Sequence, residues 1–501
     1  MTDREVANRV SVSVPTAQAG PDAEALSAEL ASEFRSLGHR VVDWLADYLE
    51  GIEDERISPS PSPASIAKRF EGGMPEGETP AGSVFDRLIE DFAPHTTHTG
   101  HPGYMGLITP SALPIGAIGD LIASVLNQNI GAYTIGPGGV FMERQVVRWL
   151  CDRIGYGPAA GGNLTSGGMM ANFIALKLAR DFASGDHAQE TGVQGAWTAY
   201  VSEERHVSLD KAGDAVGIGR DGVRIVPADE SYRIRIPALE EMIAHDRARG
   251  VRPMCILGMG GTTNIGAVDD LTSLRRIADR ERAWFHVDAA YGGGMLLSQE
   301  NPGLLAAIET ADSVAIDPHK WFFAPLDAGA ILVKDERRLT RSFGLAPSYL
   351  TDPLDPEGAR YQYYVHGFEQ SRRLRALKVW MILQRYGADR IGEWVDANVA
   401  HARRLWALCE ESDDFEAAAE PRMSAICIRY VAGPLDDERR TRLHHVVARR
   451  IEEDGQFWIS TAVLKGRTWF RICPVNVRTR LEHMDALMDS LRALCREQAR
   501  E

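Results

Sequence analysis

The sequence has few cysteines, no long apolar run and less positive than negative charge. Its six cysteines are spread over 501 residues without paired spacing, so they indicate neither a disulfide framework nor a zinc site. No apolar stretch has the length of a membrane span, and the polar segment from Met1 to about Pro21 lacks the apolar core of a signal peptide. The net charge of −15 disfavours a nucleic-acid partner, because lysine and arginine supply most contacts to phosphates. We therefore expect a cytoplasmic protein that binds neither nucleic acid nor membrane.

Along the chain, apolar residues follow helical spacing in some segments and form short strand-like runs in others. Residues 24–52 predict a long amphipathic helix. Between about 140 and 335, short apolar strands alternate with helices, which is typical of a mostly parallel sheet covered on both faces. A long helix at 370–386 then leads into a smaller α+β region. The predicted organisation is a disordered tail at 1–23, an N-terminal helical segment at 24–105, a large domain at 106–375 and a small C-terminal domain at 376–501.

Two charged residues follow apolar strands in the predicted sheet. Lys320 lies in the motif Asp-Pro-His-Lys-Trp just after the apolar stretch 313–316, and Asp288 ends the stretch that begins at Trp284. Taken alone, such a lysine is more often an exposed side chain at a strand end, and such an aspartate more often forms a turn. The small residues that follow Asp288 would let a flat ring approach. With them, the lysine is placed to form an imine with a carbonyl cofactor.

A glycine pair precedes a predicted helix at residue 168. The run Thr165-Ser166-Gly167-Gly168 leads into apolar residues at helical spacing that continue to Arg180. Glycines let backbone N–H groups approach an anion, and the start of a helix adds unpaired donors. Alone, the run is more often a plain loop with a serine cap. Together with the downstream lysine and aspartate motifs, it predicts a phosphate site.

These motifs, in this order, resemble the group II pyridoxal-phosphate (PLP)-dependent amino-acid decarboxylase family, which includes aromatic-L-amino-acid and glutamate decarboxylases. Four motifs carry the resemblance: the turn at 165–172, His206, Asp288 and Lys320. It implies the α/β architecture of PLP fold type I, which is aspartate-aminotransferase-like. The expected fold has a mixed seven-stranded sheet, an N-terminal helical segment and a small C-terminal α+β domain. It also implies a homodimer with shared active sites, because the N-terminal segment of this family lies across a second subunit.

The resemblance also assigns roles to individual residues. Lys320 would hold the cofactor, Asp288 would meet the pyridine nitrogen, and His206 would stack on the ring. Tyr349 would act as the general acid that protonates the substrate carbon. The role of Asp317 stays open, because an acid beside a phosphate repels it. Further cofactor contacts are expected from Ser166, Gly167, Gly168, Thr263, Ala290, Asp317, His319 and Ser371.

A group of histidines before the large domain raises the question of a metal site. His95, His98 and His101 are three residues apart, but neighbouring glycine and proline break any helix that would align them, so we reject a metal. The segment from His101 to Met105 instead resembles the mouth of the family's substrate pocket. The predicted pocket is apolar, and its residues are His101, Tyr104, Leu107 and Ile108.

The predicted function is PLP-dependent α-decarboxylation of an L-amino acid to its amine and carbon dioxide, with an aromatic or large aliphatic side chain. The chain would thus be a carboxy-lyase. Two alternatives on the same fold are decarboxylating oxidative deamination to an aldehyde and carbon–carbon bond cleavage. Tyr349 disfavours the deamination, because relatives with phenylalanine there tend toward it. A third alternative is a non-catalytic PLP-binding regulator, and the intact set of Lys320, Asp288, His206 and Tyr349 counts against it.

Overall fold

The structure, a computed structural model, describes residues 23–59, 62–345 and 359–500. These residues form two compact units, one of residues 23–55 and 59–96 and the other of 56–58 and 97–500. The first unit is built from the helices α1 (Ala23–Gly51), α2 (Pro63–Arg69) and α3 (Ala81–Asp91). The helix predicted at 24–52 is thereby confirmed, and it begins one residue inside the predicted tail. The rest of that tail, residues 1–22, lies outside the described residues.

Seven strands of the described chain form the large sheet of the second unit. They are β1 (Gly161–Thr165), β2 (Trp197–Ser202), β3 (Val223–Val226), β4 (Arg252–Met259), β5 (Trp284–Asp288), β6 (Ser313–Ile316) and β7 (Gly329–Val333). Their order in the sheet is β1-β7-β6-β5-β4-β2-β3. Strand β7 runs antiparallel to both of its neighbours, and the other pairs are parallel. The predicted mixed sheet is confirmed.

Helices cover both faces of this sheet. They are α4 (Pro114–Leu126), α5 (Pro137–Ile154), α6 (Gly168–Ser184), α7 (Ala188–Thr191), α8 (Ser208–Ala215), α9 (Ile236–Ala248), α10 (Leu271–Glu281), α11 (Pro318–Trp321), α12 (Arg337–Phe343) and α13 (Ala376–Glu410). Successive residues of a strand point to opposite faces. Thus Phe285 and Val287 of β5 belong to the core cluster that contains residues of α5 and α10, whereas Trp284 belongs to the cluster that contains residues of α6 and α8. The polar residues of the site lie on this second face.

A second sheet lies in the C-terminal part of the chain. Its strands are β8 (Phe415–Ala417), β9 (Ile426–Tyr430), β10 (Ser460–Leu464) and β11 (Arg467–Ile472), and its helices are α14 (Asp437–Asp454) and α15 (Leu481–Gln498). The strand order is β10-β11-β9-β8, and every pair is antiparallel. A small α+β region is therefore present, as predicted, while the division of the chain at 375 and 376 stays a prediction. No helix among the described residues is both long enough and apolar enough to cross a membrane.

The helix predicted at 370–386 begins later than expected. Residues 370–375 are not helical, and the backbone of Arg372 is hydrogen-bonded to another segment. The Arg372 N–H donates to Asn129 Oδ1 at 2.9 Å, and the Arg372 carbonyl accepts from the Ile130 N–H at 3.0 Å. The predicted end at 386 agrees with the structure, because α13 is interrupted at Gly387, whose φ of 69° lies in the left-handed region that favours glycine, before a second helical part continues to Glu410.

Candidate active site

The glycine turn, Asp288 and the motif that contains Lys320 meet at the edge of the large sheet where β1, β5 and β6 end. Thr165 is the last residue of β1, Asp288 is the last residue of β5, and the motif that contains Lys320 follows β6. Strand β7 runs in the opposite direction and so begins at this edge. A Cβ atom at its first residue, Gly329, would lie only 2.4 Å from Gly167 Cα, so the two segments are in direct backbone contact.

Gly167 and Gly168 form a tight turn that leads into α6. Gly167 has a φ of 150°, which a residue with a side chain rarely adopts. A Cβ atom on Gly168 would lie 2.8 Å from Ala290 Cβ and 2.9 Å from Asp317 Oδ2. The turn therefore lies directly against two other predicted cofactor residues. At the start of α6 the Met170 N–H donates to the Gly167 carbonyl at 3.0 Å, whereas the N–H groups of Gly168 and Met169 have no partner within the helix and are available to an anion.

The Lys320 amine lies next to a carboxylate. Lys320 Nζ is 3.1 Å from Asp317 Oδ2, and His319 Nε2 is 3.5 Å from the same oxygen. The Ala328 N–H donates to His319 Nδ1, so the proton of the neutral ring is on Nε2, which faces Asp317. Burial lowers the pKa of His319 and favours this neutral form. Asp317, whose role the sequence left open, is therefore the counter-ion of Lys320 in this structure.

Asp288 is a buried carboxylate, 4% exposed, that receives only neutral donors. Asn172 Nδ2 donates to one oxygen at 2.7 Å, and the Ala290 N–H donates to the other at 3.0 Å. No lysine, arginine or histidine of the described chain forms an ion pair with it. A buried charge without an opposite charge is costly, and the protonated pyridine nitrogen of PLP would supply that charge. This carboxylate, the glycine turn and the accessible Lys320 amine, whose side chain is 24% exposed, fit PLP.

Other predicted cofactor residues have different surroundings. His206 is half-buried, and burial lowers its pKa, while the charges of Asp288 and Lys320 also act on it. The Thr263 carbonyl accepts from the Arg471 guanidinium at 2.6 Å. Ser371 is exposed and precedes α13. Tyr349, the predicted proton donor, lies outside the described residues, and the roles of all these residues stay predictions.

The predicted pocket residues differ in exposure. Tyr104 is buried and stacks on Trp458, with ring centroids 5.1 Å apart and an angle of 12° between the rings. His101 is also buried, and its Nδ1 accepts from the Gly103 N–H at 2.9 Å. Leu107 is 46% exposed, and Ile108 is half-buried against the main core. Among the described residues, no group of histidine, cysteine, aspartate or glutamate is arranged to hold a metal ion.

Polar residues that were not expected from the sequence support the site from behind. Asn172, on the second turn of α6, holds Asp288, and His286 Nε2 lies 3.0 Å from Asn172 Oδ1. His286 could have been found, because residues two apart on a strand share a face and Asp288 had already been identified. Arg471 of β11 donates to the Gly106 carbonyl at 2.9 Å as well as to Thr263. The sequence contained no signal for this long-range contact.

The chain matches known proteins over most of its length. A profile described as the pyridoxal-dependent decarboxylase conserved domain matches residues 63–431, well over half of the chain. The chain belongs to the pyridoxal-dependent decarboxylase family. It therefore uses PLP and is a carboxy-lyase that decarboxylates amino acids, and these three expectations of the sequence analysis are confirmed.

Individual known proteins are similar to this chain over most of its length. Aromatic-L-amino-acid decarboxylase from Bacillus atrophaeus is 29% identical, with 94% of this chain and 97% of that protein covered. Phenylacetaldehyde synthase from Arabidopsis thaliana is 26% identical, with 88% and 91% covered. The crystal structure of Oryza sativa TDC with PLP and tryptamine superimposes with a TM-score of 0.88 at 26% identity, and 94% of this chain and 99% of that chain are covered. The expected fold type is therefore confirmed.

Proposed function

We propose that this decarboxylase converts an L-amino acid with an aromatic or large aliphatic side chain to its amine. The proposal rests on the short distances that join Gly168, Ala290, Asp317 and Lys320 around the buried Asp288 carboxylate. PLP supplies the electron sink for the bond that breaks when the α-carboxylate leaves. The protein residues would hold that group, orient the substrate and control where protons go.

Each residue of the site would contribute one property. The N–H groups of the glycine turn would bind the phosphate, and Lys320 would bond covalently to the cofactor until substrate displaces it. Asp288 would keep the ring nitrogen protonated, because an opposite charge nearby favours the charged form. His206 would cover one face of the ring and exclude water. Tyr349 would deliver a proton to the substrate carbon after carbon dioxide has left.

The side-chain preference is supported by the apolar residues of the predicted pocket and by the names of the relatives. The Bacillus relative is named for aromatic L-amino acids, and tryptamine is named in the rice structure. In this chain Leu107 and Ile108 offer apolar surface next to the buried Tyr104. An apolar substrate side chain would gain free energy by leaving water there, whereas a charged one would lose hydration.

The direct test is to incubate the PLP-loaded protein with each of the twenty L-amino acids and to identify amines by mass spectrometry. We expect amines from aromatic or large aliphatic substrates. Amines only from acidic or basic substrates would refute the proposed preference. Leu107→Arg should reduce turnover of the preferred substrate, and Leu481→Arg is the matched control, since these two leucines are 46% and 50% exposed.

The alternative function is decarboxylation with oxidative deamination to an aldehyde. It is favoured by the similarity to phenylacetaldehyde synthase. Tyr349→Phe separates the two functions by product. Without the phenol, protonation of the substrate carbon is slow and dissolved oxygen competes, so the variant should release carbon dioxide but form aldehyde, ammonia and peroxide in place of much of the amine. If the wild type already forms mainly aldehyde, the alternative is correct. If the variant forms amine at the wild-type rate, Tyr349 is not the donor.

We also propose that the enzyme is a cytoplasmic homodimer with shared active sites. Support for the dimer comes from exposed apolar residues on two helices. They are Leu26, Leu30, Phe34, Val42 and Leu45 on α1, and Ile118, Leu121, Ile122, Val125 and Leu126 on α4. Exposed apolar surface of this kind marks interaction sites. All six cysteines are free and buried, which suits a reducing compartment.

The dimer is tested by light scattering of the purified protein. Val125→Glu on α4 should yield monomers or aggregates with little activity, because the carboxylate would be buried in the interface. Val463→Glu on β10 is the matched control, since these valines are 59% and 64% exposed. Removal of residues 1–55 should likewise give inactive or aggregated protein. Active, monodisperse monomers from either change would refute the proposal.

A further inference from the structure

A chain of hydrogen bonds runs behind Asp288 along one face of β5. Trp284 Nε1 donates to Ser313 Oγ at 2.8 Å, and Ser313 Oγ lies 2.9 Å from His286 Nδ1. His286 Nε2 lies 3.0 Å from Asn172 Oδ1, and Asn172 Nδ2 lies 2.7 Å from Asp288 Oδ2. Trp284, His286 and Asp288 alternate along the strand and so share a face. All five side chains are buried.

The chemistry at the Asp288 end fixes the proton positions. An ionised carboxylate only accepts, so the Asn172 NH₂ group must face it and the Asn172 carbonyl oxygen must face His286. That oxygen cannot donate, and therefore His286 Nε2 carries the ring proton. The second Asn172 Nδ2 proton goes to Ser208 Oγ at 3.0 Å, so the amide group has a partner at each position.

At the Trp284 end, His286 Nδ1 lies 2.9 Å from Ser313 Oγ and 3.1 Å from the Ser313 carbonyl oxygen. An indole N–H only donates, so Ser313 Oγ accepts from Trp284 and has its own proton left to give. The neighbouring acceptor for that proton is His286 Nδ1. A neutral imidazole has one donor and one acceptor nitrogen; the Asn172 carbonyl requires the donor to be Nε2, and Nδ1 then accepts from Ser313 Oγ. Burial lowers the pKa of His286 to about 4, which keeps the ring neutral at physiological pH.

We propose that His286 is a positioning residue that acts through Asn172 to keep Asp288 an ionised hydrogen-bond acceptor, and hence to keep the pyridine nitrogen of the cofactor protonated. The Nε2–H group of His286 donates to Asn172 Oδ1. This bond keeps the amide group from turning its oxygen toward the Asp288 carboxylate. Both oxygens of Asp288 therefore receive an N–H group, one from Asn172 and one from Ala290. This inference rests on the proposed role of Asp288.

The experiment loads the apoprotein with PLP that carries ¹⁵N at the pyridine nitrogen and measures the nitrogen chemical shift, which reports whether this atom holds a proton. Wild type should show a protonated nitrogen at neutral pH. His286→Leu, which lacks the donor, should lose much of that protonation and bind PLP about tenfold more weakly, the size typical of lost support behind a bound group. His286→Gln can present an N–H group to Asn172 and should recover most of both properties.

A second buried histidine provides the matched control. His444 is fully buried, its pKa is also lowered to about 4 by burial, and its ring nitrogens bond only to the backbone of Tyr430 and Thr468. His444→Leu should reduce stability as His286→Leu does, yet leave the nitrogen protonated and the PLP affinity unchanged. If His286→Leu fails to fold, Ser313→Ala, which removes the donor to Nδ1, and Asn172→Leu carry the same test.

The outcomes separate this inference from the proposed site. Asp288→Asn should itself abolish protonation of the nitrogen. If it does, while His286→Leu and Asn172→Leu keep a protonated nitrogen and an affinity within twofold of wild type, the positioning role is wrong and the site stands. If Asp288→Asn also changes neither property, the assignment of Asp288 fails, and this inference fails with it.

Discussion

Gly168→Ala adds a single methyl group to the glycine turn and so tests whether this turn binds the cofactor. Gly168 is the first residue of α6 and its φ is not positive, so alanine is compatible with the backbone. The added Cβ atom would lie 2.8 Å from Ala290 Cβ and 2.9 Å from Asp317 Oδ2, whereas carbon atoms in good contact are about 3.5–4.0 Å apart. Either the Ala290 backbone or the Asp317 carboxylate must move, and both shape the site.

The expected magnitude follows from these contacts. One extra methyl group in a tight site costs about 1–3 kcal/mol, while alanine in place of glycine in a helix returns up to about 1 kcal/mol. The fold should therefore lose little stability. A shift of Asp317 would disturb its 3.1 Å contact with Lys320, and a shift of Ala290 would disturb the N–H group that binds Asp288. If most of this free energy is lost from cofactor binding and not from folding, the affinity for PLP falls about tenfold to a hundredfold.

Affinity is measured by titrating the apoprotein with PLP and following the fluorescence of the protein. The matched control is Gly138→Ala at the second residue of α5, because a Cβ atom there has no neighbour within 4 Å. The control should bind PLP as the wild type does. A Gly168→Ala protein with an affinity within twofold of wild type would show that the turn does not contact the cofactor. The PLP phosphate would then have to bind to other residues.

The remaining predictions concern the charged groups of the protein. Lys320→Ala should abolish turnover and prevent borohydride from fixing PLP to the protein, and a label on another lysine would contradict the assignment. Asp288→Asn should lower activity about a hundredfold, because a neutral amide cannot hold the ring nitrogen protonated, and activity within a few-fold of wild type would contradict this. Burial lowers the pKa of His286, His401 and His444 to about 4 from the ordinary value of 6.5. As pH falls, the unfolded chain therefore takes up protons first, and urea unfolding should show stability falling between about pH 6.5 and 4. Constant stability over that range would contradict it.

The large sheet was predictable from apolar strands that alternate with helices, but its edge strand β1 was not. Strand β1 begins Gly161-Gly162 and carries few residues that favour strands. It forms because β7 lies beside it, with Gly162 paired to Leu332 and Leu164 paired to Ala330. The helix start at Ala376 was misplaced for a related reason, since Arg372 is hydrogen-bonded to residues 129–130 and lies outside the helix. Contacts between distant segments decide such local structures, and the local sequence does not contain them.

Residues of the candidate site were predictable where the residue type and its position together indicate a chemical role. Lys320 and Asp288 follow buried strands, and charged residues in that position are uncommon. The supporting residues carry no such signal, because a buried asparagine or histidine has many structural uses. Arg372 illustrates this limit. Its guanidinium donates to Glu143 at 2.7 Å and to the Leu164 carbonyl at 2.8 Å, just before the glycine turn. Only the fold brings these residues together.

The antiparallel insertion of β7 has a consequence for how the protein is made. Strand β1 is at the edge of the sheet, and β7 is its only neighbour among the described strands. Residues 161–165 therefore cannot pair within the sheet before residues 329–333 have been synthesised. Until then, the glycine turn that follows β1 lacks its backbone contact with Gly329. Pairing over such a separation is slow, since a long loop must close first. During synthesis from the N-terminus, the complete PLP site therefore cannot form until about two thirds of the chain has left the ribosome.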